Sequence, residues 1–343
     1  MLIGSRKKNQ RMTETNASMN LAQTVTWLRE HQNVLVLTHA RPDGDAWGSA
    51  IAVRRLVERL GGSATIRLTG WLDPMMQELF PEEPATFDDP DAPVADAVVV
   101  VDTSAETQLD RDAAFCRSME DRLLVIDHHA KGDVWSHSCV DSTLPSTTAL
   151  LTKLIHEAGI PLDRDLAEPL LLGLATDTGW FRHANADAGA FVLAGELIQA
   201  GARRDRLYQA TEGAQHPARL SLMGTALGRL EWLAEGQIAI TGLAHADFRS
   251  AGAGPEVLAG VVNEPLSVRS CGVSLLCTEV TPGLVKVSLR SIPDEHGSPI
   301  LDVAEFAAKF GGGGHRMAAG CRLSGDLPSV MNTLREALHA AIT

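Results

Sequence analysis

Several residue types and patterns are scarce in this sequence, and each scarcity excludes a class of protein. The five cysteines are scattered without a C-x-x-C pair, which excludes a disulfide framework and a thiolate zinc site. No run reaches the ~18 apolar residues of a membrane-spanning helix. The N-terminus has a basic start without a following apolar segment, which is not the pattern of a secretory signal. These absences predict a cytoplasmic protein with no membrane partner.

Positive charge is also in short supply. The 343 residues include 30 Lys and Arg against 43 Asp and Glu, which gives a formal net charge of −13. This balance argues against the binding of long nucleic acid through a broad basic face. It still allows a small phosphorylated ligand, because bound metal ions can supply positive charge locally.

The length and the pattern of apolar runs predict two domains. Residues 1–20 are expected to be a polar tail. Between residues 21 and 186, short β-rich runs alternate with helical segments, which indicates βαβ units and a parallel sheet. Residues 187–213 are expected to be a helical linker. Residues 214–343 show clearer alternation and a Pro-Gly turn at 282–283, which predicts a smaller α+β domain.

Acidic and histidine side chains follow the ends of the predicted strands and of one helix in the first domain. They are His39, Asp43, Asp45, Asp102, Asp127, His128, His129 and Asp177. Because ligands bind at the carboxyl ends of parallel strands, we expect these side chains to converge. One segment alone has an ordinary explanation, such as a turn at residues 43–45 or a helix cap at Asp102. Four such segments in one α/β domain favour a binding site.

The donor set predicts a metal centre. Four aspartates and two or three imidazoles exceed the needs of one ion, so we expect two divalent cations. Oxygen and imidazole donors without thiolate favour Mn²⁺, with Mg²⁺ and Co²⁺ as alternatives. Two ions about 3.5–4 Å apart suit displacement at phosphorus. A calcium loop at residues 43–54 is excluded, because Trp47 and Arg54 stand where oxygen ligands are required.

In their order along the chain, these motifs resemble those of the DHH phosphoesterase superfamily. The H-x-x-x-D-x-D set at residues 39–45, Asp102, the triplet at residues 127–129 and Asp177 match its DHH domain. The segments VSLRS and FGGGGHRMAAG, further along the chain, resemble its DHHA1 domain. The resemblance covers nearly the whole chain and is greatest to the NrnA-like branch, described as oligoribonucleases (nanoRNases) and phosphatases of 3′-phosphoadenosine 5′-phosphate. It implies an α/β DHH domain, a smaller α+β DHHA1 domain, and an active site in the cleft between them.

The resemblance also implies roles for individual residues. Two metal-ligand sets share Asp102: His39, Asp43 and Asp102 for one ion, and Asp45, Asp102, His128 and Asp177 for the other. His129 would face the scissile phosphate, and Asp127 would orient a histidine or a ligand.

The second domain would bind the rest of the substrate. The residues implied are Arg290, Gly311, Gly312, Gly313, Gly314 and His315. Consecutive glycines let backbone N–H groups approach an anion, although a flexible turn that ends the predicted helix at residues 303–310 explains them equally well. Arg182, close to Asp177, is a further candidate for phosphate binding.

The expected function is a metal-dependent phosphohydrolase that trims RNA of a few nucleotides and removes the 3′-phosphate of 3′-phosphoadenosine 5′-phosphate. Two alternatives stay open: a phosphodiesterase for cyclic or linear dinucleotides, and a nucleotide-binding regulator without catalysis. A RecJ-like exonuclease for long DNA is disfavoured by the chain length. The expected partners are short RNA or a nucleotide bisphosphate, without long DNA, and the sequence leaves a homodimer open.

Overall fold

The structure is a computed structural model, and the residues that it describes are 18–83, 85–86, 95–213, 216–294 and 297–342. The predicted polar tail lies outside them except for its last three residues, of which Ser18 and Met19 form hydrogen bonds with Ser138. The chain divides into two compact units, Met1–Ala214 and Gln215–Thr343. Within the described residues, no helix is long and apolar enough to span a membrane.

The first unit contains a six-stranded sheet in the order β3-β2-β1-β4-β5-β6, and every neighbouring pair is parallel. The strands are β1 Asn33–Leu37, β2 Ser63–Arg67, β3 Ala85–Thr86, β4 Ala97–Val101, β5 Leu123–Asp127 and β6 His137–Val140. The predicted parallel sheet is therefore confirmed. The strand order reverses between β1 and β4, and in open α/β sheets a ligand crevice forms at such a point.

Helices cover both faces of this sheet. They are α1 Leu21–Glu30, α2 Gly44–Arg59, α3 Pro74–Leu79, α4 Ala113–Ser118, α5 Thr147–Glu157, α6 Arg164–Asp177, α7 Ala188–Gln199 and α8 Arg204–Tyr208. The larger core packs α2, α5 and α6 against one face, and a smaller core around Trp135 covers the other. Since β1, β4 and β5 are buried on both faces, their sequences are continuous apolar runs rather than alternating ones.

Close packing of α2 fixes the loop that precedes it. The Asp43 side chain caps α2 by accepting hydrogen bonds from the N–H groups of Asp45 and Ala46, at 3.0 and 3.1 Å. A Cβ atom on Gly48 would lie 2.3 Å from the carbonyl oxygen of Pro169, so glycine allows α2 to approach α6. This contact holds the β1–α2 turn at the carboxyl edge of the sheet.

The segment at residues 187–213 is helical as predicted, but it is not a free linker. Leu197 of α7 and Leu207 of α8 are fully buried in the larger core. A π-helical turn, Gln209–Gly213, follows α8, and its Thr211 accepts a hydrogen bond from the indole N–H of Trp180 at 3.1 Å. The segment belongs to the first unit because its apolar side chains complete that core.

The second unit is built on a mixed sheet in the order β11-β12-β10-β9-β8-β7. Its strands are β7 Glu231–Leu233, β8 Ile238–Leu243, β9 Val273–Thr281, β10 Leu284–Ser291, β11 Gly313–His315 and β12 Ala318–Ser324. Its helices are α9 Pro217–Gly228, α10 His245–Ala251, α11 Val303–Ala308 and α12 Leu327–Ile342. Helices α11 and α12 contribute to the core on one face of the sheet, and α9 and α10 pack near β8 and β9. The predicted α+β domain is confirmed.

The glycine segment of this unit begins as a turn that ends α11, with a left-handed φ of 71° at Gly311, and continues as a strand. Gly313–His315 is an edge strand paired with β12. A Cβ atom on Gly312 would lie 2.3 Å from the carbonyl oxygen of Gly320, and one on Gly314 would lie 2.5 Å from that of Ala318. Close approach to β12 therefore explains Gly312 and Gly314. A Cβ atom on Gly313 would meet nothing within 4 Å, so packing does not explain this glycine.

Candidate active site

The eight candidate residues of the first unit gather at the carboxyl edge of the parallel sheet. His39, Asp43 and Asp45 follow β1, and Asp102 follows β4. The triplet at residues 127–129 begins on the last residue of β5, and Asp177 is the last residue of α6. The chain therefore brings these groups together at the point where the strand order reverses.

Their ligand atoms form three overlapping clusters. Within each cluster, one donor atom from every residue lies within 4.8 Å of the others. The clusters are His39, Asp43 and Asp102; Asp45, His128 and Asp177; and Asp102, His128 and His129. The first has the residues of one predicted ligand set, and the second has those of the other set except Asp102, which joins His128 in the third cluster. The arrangement can hold two ions around a shared carboxylate.

His128 provides the clearest sign that the cluster fits a metal. Its Nδ1 atom lies 3.2 Å from the carbonyl oxygen of Leu144, which can only accept a hydrogen bond, so Nδ1 is the donor and Nε2 points into the cluster. Nε2 is buried and has no hydrogen-bond partner among the described residues. It lies 3.9, 3.8 and 3.5 Å from carboxylate oxygens of Asp45, Asp102 and Asp177. A buried Nε2 atom that faces three carboxylates without a hydrogen-bond partner has the surroundings of a metal ligand.

The charges of the cluster agree with this conclusion. Burial raises the pKa of Asp102 well above its ordinary value, and the neighbouring Asp45 and Asp43 raise it further. Burial and Asp45 raise the pKa of Asp177 to about 6. Burial also lowers the pKa of His39, which favours the neutral imidazole that a metal binds. Divalent cations would neutralise the crowded carboxylates.

Two threonines that no sequence motif indicated hold two of these carboxylates. Thr147 and Thr148 begin α5, and their backbone N–H groups donate to the two oxygens of Asp45 at 2.7 and 3.0 Å. The Thr148 hydroxyl donates to Asp45 at 2.8 Å, and the Thr147 hydroxyl donates to Asp102 at 2.8 Å. A helix N-terminus favours negative charge, so α5 orients both ligands. The only sequence signal was the run of Ser146 and two threonines at a helix start.

Asp102 adopts an unusual backbone conformation. Its φ of 61° lies in the left-handed region, which aspartate and asparagine occupy more readily than most residues. Its N–H donates to the carbonyl oxygen of Ile126 on the neighbouring strand at 3.0 Å. Strained backbone of this kind tends to occur at functional sites. Here it turns the chain immediately after β4, at the carboxylate shared by the two ligand sets.

His129 and Asp127 form a separate pair beside the metal cluster. The ring Nδ1 of His129 lies 2.8 Å from Asp127 Oδ1, and the hydroxyl of Ser104 donates to Asp127 Oδ2. Burial raises the pKa of Asp127, but the hydrogen bonds from His129 and Ser104 outweigh burial and lower it overall. The same hydrogen bond raises the pKa of His129, which is half exposed. The pair can therefore present a protonated ring to an anion.

Of the remaining candidates, Arg182 belongs to the first unit and the others to the second. Arg182 is 71% exposed, its Nε donates to the carbonyl oxygen of Gly179 at 2.8 Å, and its Nη2 is 4.0 Å from Glu212. Arg290, in the second unit, is partly buried, and its Nη1 donates to the carbonyl oxygen of Leu289. Burial lowers the pKa of Arg290, which has no carboxylate partner among the described residues. His315 and Gly313 are exposed on β11.

This chain matches two known domain families. Residues 33–174 match the family described as DHH family, N-terminal domain, and residues 236–343 match the DHHA1 domain. The chain belongs to the DHH superfamily. The resemblance noted from the motifs is thus confirmed, and the matched regions include every candidate site residue except Asp177 and Arg182.

Two curated relatives extend the likeness over most of the chain. The Thermus thermophilus protein named bifunctional oligoribonuclease and PAP phosphatase NrnA is 29% identical over 318 residues, which cover 90% of each chain. The Streptococcus mutans protein named probable bifunctional oligoribonuclease and PAP phosphatase NrnA is 24% identical over 295 residues, which cover 85% of this chain and 90% of that protein.

Two solved structures share the fold of this DHH chain. An exopolyphosphatase-related protein from Bacteroides fragilis has a TM-score of 0.83 at 22% identity, and the match covers 93% of this chain and 95% of that one. The exonuclease RecJ bound to manganese has a TM-score of 0.51 at 16% identity, and the match covers 94% of each chain. The metal dependence of DHH phosphoesterases agrees with the clusters of acidic and histidine ligands in this chain.

Proposed function

We propose that this protein is a metal-dependent phosphohydrolase that degrades short oligoribonucleotides to mononucleotides and dephosphorylates 3′-phosphoadenosine 5′-phosphate to AMP. The observation that carries the proposal is the buried Nε2 of His128, which faces three carboxylates at the sheet edge and has no hydrogen-bond partner within the described part of the chain. The names of relatives that match over 85–90% of the chain supply the substrate class.

Two divalent cations, with Mn²⁺ favoured, would occupy the two ligand sets. His39, Asp43 and Asp102 would hold one ion, and the other would be held by Asp45, Asp102, His128 and Asp177. Bound cations supply Lewis acidity at a phosphoryl group. The protein's own contribution is to orient the ligands: Thr147 holds Asp102, and the N-terminus of α5 holds Asp45.

His129 would act on the substrate directly. Its Nδ1 is engaged by Asp127, which leaves Nε2 of the half-exposed ring for a phosphate oxygen. A protonated His129 can stabilise the charge that develops on the phosphoryl group or protonate the leaving oxygen. Asp127 keeps the ring oriented and favours its protonated form, with Ser104 holding the carboxylate in place.

The second unit would supply substrate-binding residues of its own. Arg290 is a partly buried cation without a carboxylate partner among the described residues, and it shares a cross-strand row with His315 through Ala318. Gly313 has no packing reason to be glycine, and the lack of a side chain there would let an anion approach the backbone. The net charge of −13 disfavours long polyanions and so favours short substrates.

One panel of assays tests the proposal. The protein is incubated with Mn²⁺ and, separately, with 3′-phosphoadenosine 5′-phosphate, RNA of two to about twenty nucleotides, a cyclic dinucleotide and pyrophosphate. We expect hydrolysis of the first compound and of the shortest RNAs, and none after EDTA treatment. Activity confined to pyrophosphate would contradict the proposal. Activity confined to dinucleotides would favour the phosphodiesterase alternative, and nucleotide binding without hydrolysis would favour a regulator.

The state of the cysteines supports a cytoplasmic site of action. All five are free and buried, and a reducing compartment preserves such thiols.

A further inference from the structure

The second sheet has a partly exposed face that carries positive charge. Val285, Val287 and Leu289 of β10 point into the core, and the alternate residues Lys286, Ser288 and Arg290 point to the opposite face. On that opposite face, helices α9 and α10 cover Leu276, the neighbour of Ser288 on β9. The part formed by β10, β12 and β11 retains exposed side chains. We call this part the open face.

The strand register arranges the open face in rows. Arg290 pairs with Ala318, which pairs with His315. Ser288 pairs with Gly320, which pairs with Gly313. Lys286 pairs with Arg322 in the last row. A row of small residues therefore separates two cationic rows, the Arg290 row and the Lys286 row.

The pairing of Lys286 with Arg322 needs an explanation. Like charges directly opposite each other in an antiparallel pair are destabilising. Both side chains are exposed, and across the described part of the chain neither has an ion-pair partner. Both line a cavity of about 360 Å³ together with residues 311–313 and Gly320. An anion bound in this cavity would relieve the repulsion.

The spacing of the two cationic rows indicates what kind of anion fits. Arg290 and Lys286 are four residues apart on one strand, so their Cα atoms are about 13 Å apart. The two phosphates of a single nucleotide flank one ribose and cannot reach both rows. A single-stranded oligonucleotide carries phosphates at regular intervals and can reach both. The small side chains between the rows leave room for its backbone.

We propose that Lys286 and Arg322 form a second phosphate subsite, which binds oligoribonucleotides of three or more nucleotides while Arg290 holds another phosphate of the same molecule. This inference rests on the proposed function and deepens it, because it assigns the recognition of substrate length to a specific pair of side chains. It predicts that affinity rises with length until the chain covers both rows.

Metal-free binding tests the subsite without hydrolysis. Fluorescently labelled RNA of two and of five nucleotides is titrated with protein in EDTA, and Kd is measured by anisotropy. K286A/R322A should raise the Kd for the pentamer roughly tenfold or more relative to that for the dinucleotide. In a plot of the logarithm of the pentamer binding constant against the logarithm of the salt concentration, the steepness should decrease by about 0.7 for each phosphate that the variant no longer neutralises. K286R/R322K, which keeps both charges, should retain pentamer binding.

R249A/R269A is the matched control, because it removes two exposed cations elsewhere in the same unit. An unchanged ratio of the two Kd values in K286A/R322A, or an equal change in R249A/R269A, would overturn the subsite. The subsite would also be overturned if K286A/R322A lost the binding of an acidic peptide but still bound the pentamer. The proposed function fails by a different result, namely no Mn²⁺-dependent hydrolysis of any short substrate by the wild-type protein.

Discussion

Replacement of Asp102 by asparagine is the most direct test of the shared carboxylate. Asparagine keeps the shape of the side chain, can still accept the hydrogen bond from Thr147, and tolerates the left-handed φ of 61°. Alanine at this φ would add about 1–2 kcal/mol of backbone strain and confuse the result. Asp102→Asn therefore removes a charge with little other change.

The magnitude follows from the position of the carboxylate. Its two oxygens lie 3.6 Å from His39 Nε2 and 3.8 Å from His128 Nε2, so both ligand sets lose the same charge. One unit charge at about 4 Å is worth about 4 kcal/mol at an effective dielectric constant of about 20. At about 1.36 kcal/mol per tenfold, kcat/KM should fall roughly 10³-fold or more.

Two measurements report on the variant independently. Hydrolysis of 3′-phosphoadenosine 5′-phosphate in Mn²⁺ gives kcat/KM, and thermal unfolding with and without Mn²⁺ gives the metal-induced rise in Tm. We expect that rise to shrink, because weaker binding stabilises the folded state less. In EDTA the variant should unfold at the wild-type temperature or above it, because one of several crowded carboxylates is gone.

Asp110→Asn is a matched control, since Asp110 also has a left-handed φ, of 49°, but is exposed. It should leave kcat/KM and the response to Mn²⁺ close to wild type. If Asp102→Asn kept near-normal activity and a full Mn²⁺ response, the assignment of a shared carboxylate would be refuted. A lower Tm of the same variant in EDTA would instead contradict the electrostatic reasoning.

Three further predictions concern packing and positioning. Gly313→Ala should raise KM without lowering Tm. Gly314→Ala should lower Tm, because Gly314 has a φ of 146° and a Cβ atom there would clash with β12. Equal Tm values for the two variants would contradict this account. Thr147→Val should lower kcat about 10–100-fold, and Thr147→Ser should restore it. Glu168→Gln should lower the free energy of unfolding by about 1–3 kcal/mol in urea at pH 7, because Glu168 is buried and paired with Arg203. Burial raises the pKa of Glu168, but these hydrogen bonds lower it overall. The difference in free energy of unfolding between wild type and variant should therefore shrink as the pH falls below the ordinary value of 4.5. A difference that persists in acid would contradict the pairing.

The gathering of the proposed metal ligands at one edge of the sheet could be predicted, because most of them follow a buried strand. A buried parallel strand is a continuous apolar run, and the residue after it lies at the carboxyl edge of the sheet. Asp102 follows Ala97–Val101 directly, and His128 follows β5 directly. Convergence then follows from the parallel sheet, whatever the details of packing.

The residues that orient these ligands could not be predicted in the same way. Thr147 is 45 positions from Asp102 along the chain, and only the packing of α5 brings its hydroxyl to that carboxylate. Ser104 and Asp127, which are 23 positions apart, meet because β4 and β5 are neighbours in the sheet. No local pattern specifies such pairs.

The structural role of the glycine run at residues 311–314 could not be predicted, for a related reason. The run at residues 311–314 fits an anion-binding loop, a flexible turn or an edge strand, and its composition is the same in each case. The distances from Gly312 and Gly314 to β12 assign those two to close strand pairing, and leave Gly313 as the position where backbone exposure has no packing explanation.

The sequence by itself determined the parallel sheet, the order of the motifs and the side chains available for metal binding, because these depend on local periodicity and on the chain direction of each strand. Only the tertiary structure decided which groups hold those ligands, that residues 187–213 complete the first core, and that Lys286 stands opposite Arg322. Those features depend on contacts between distant segments, whose register and packing are set by the whole fold rather than by any one stretch of sequence.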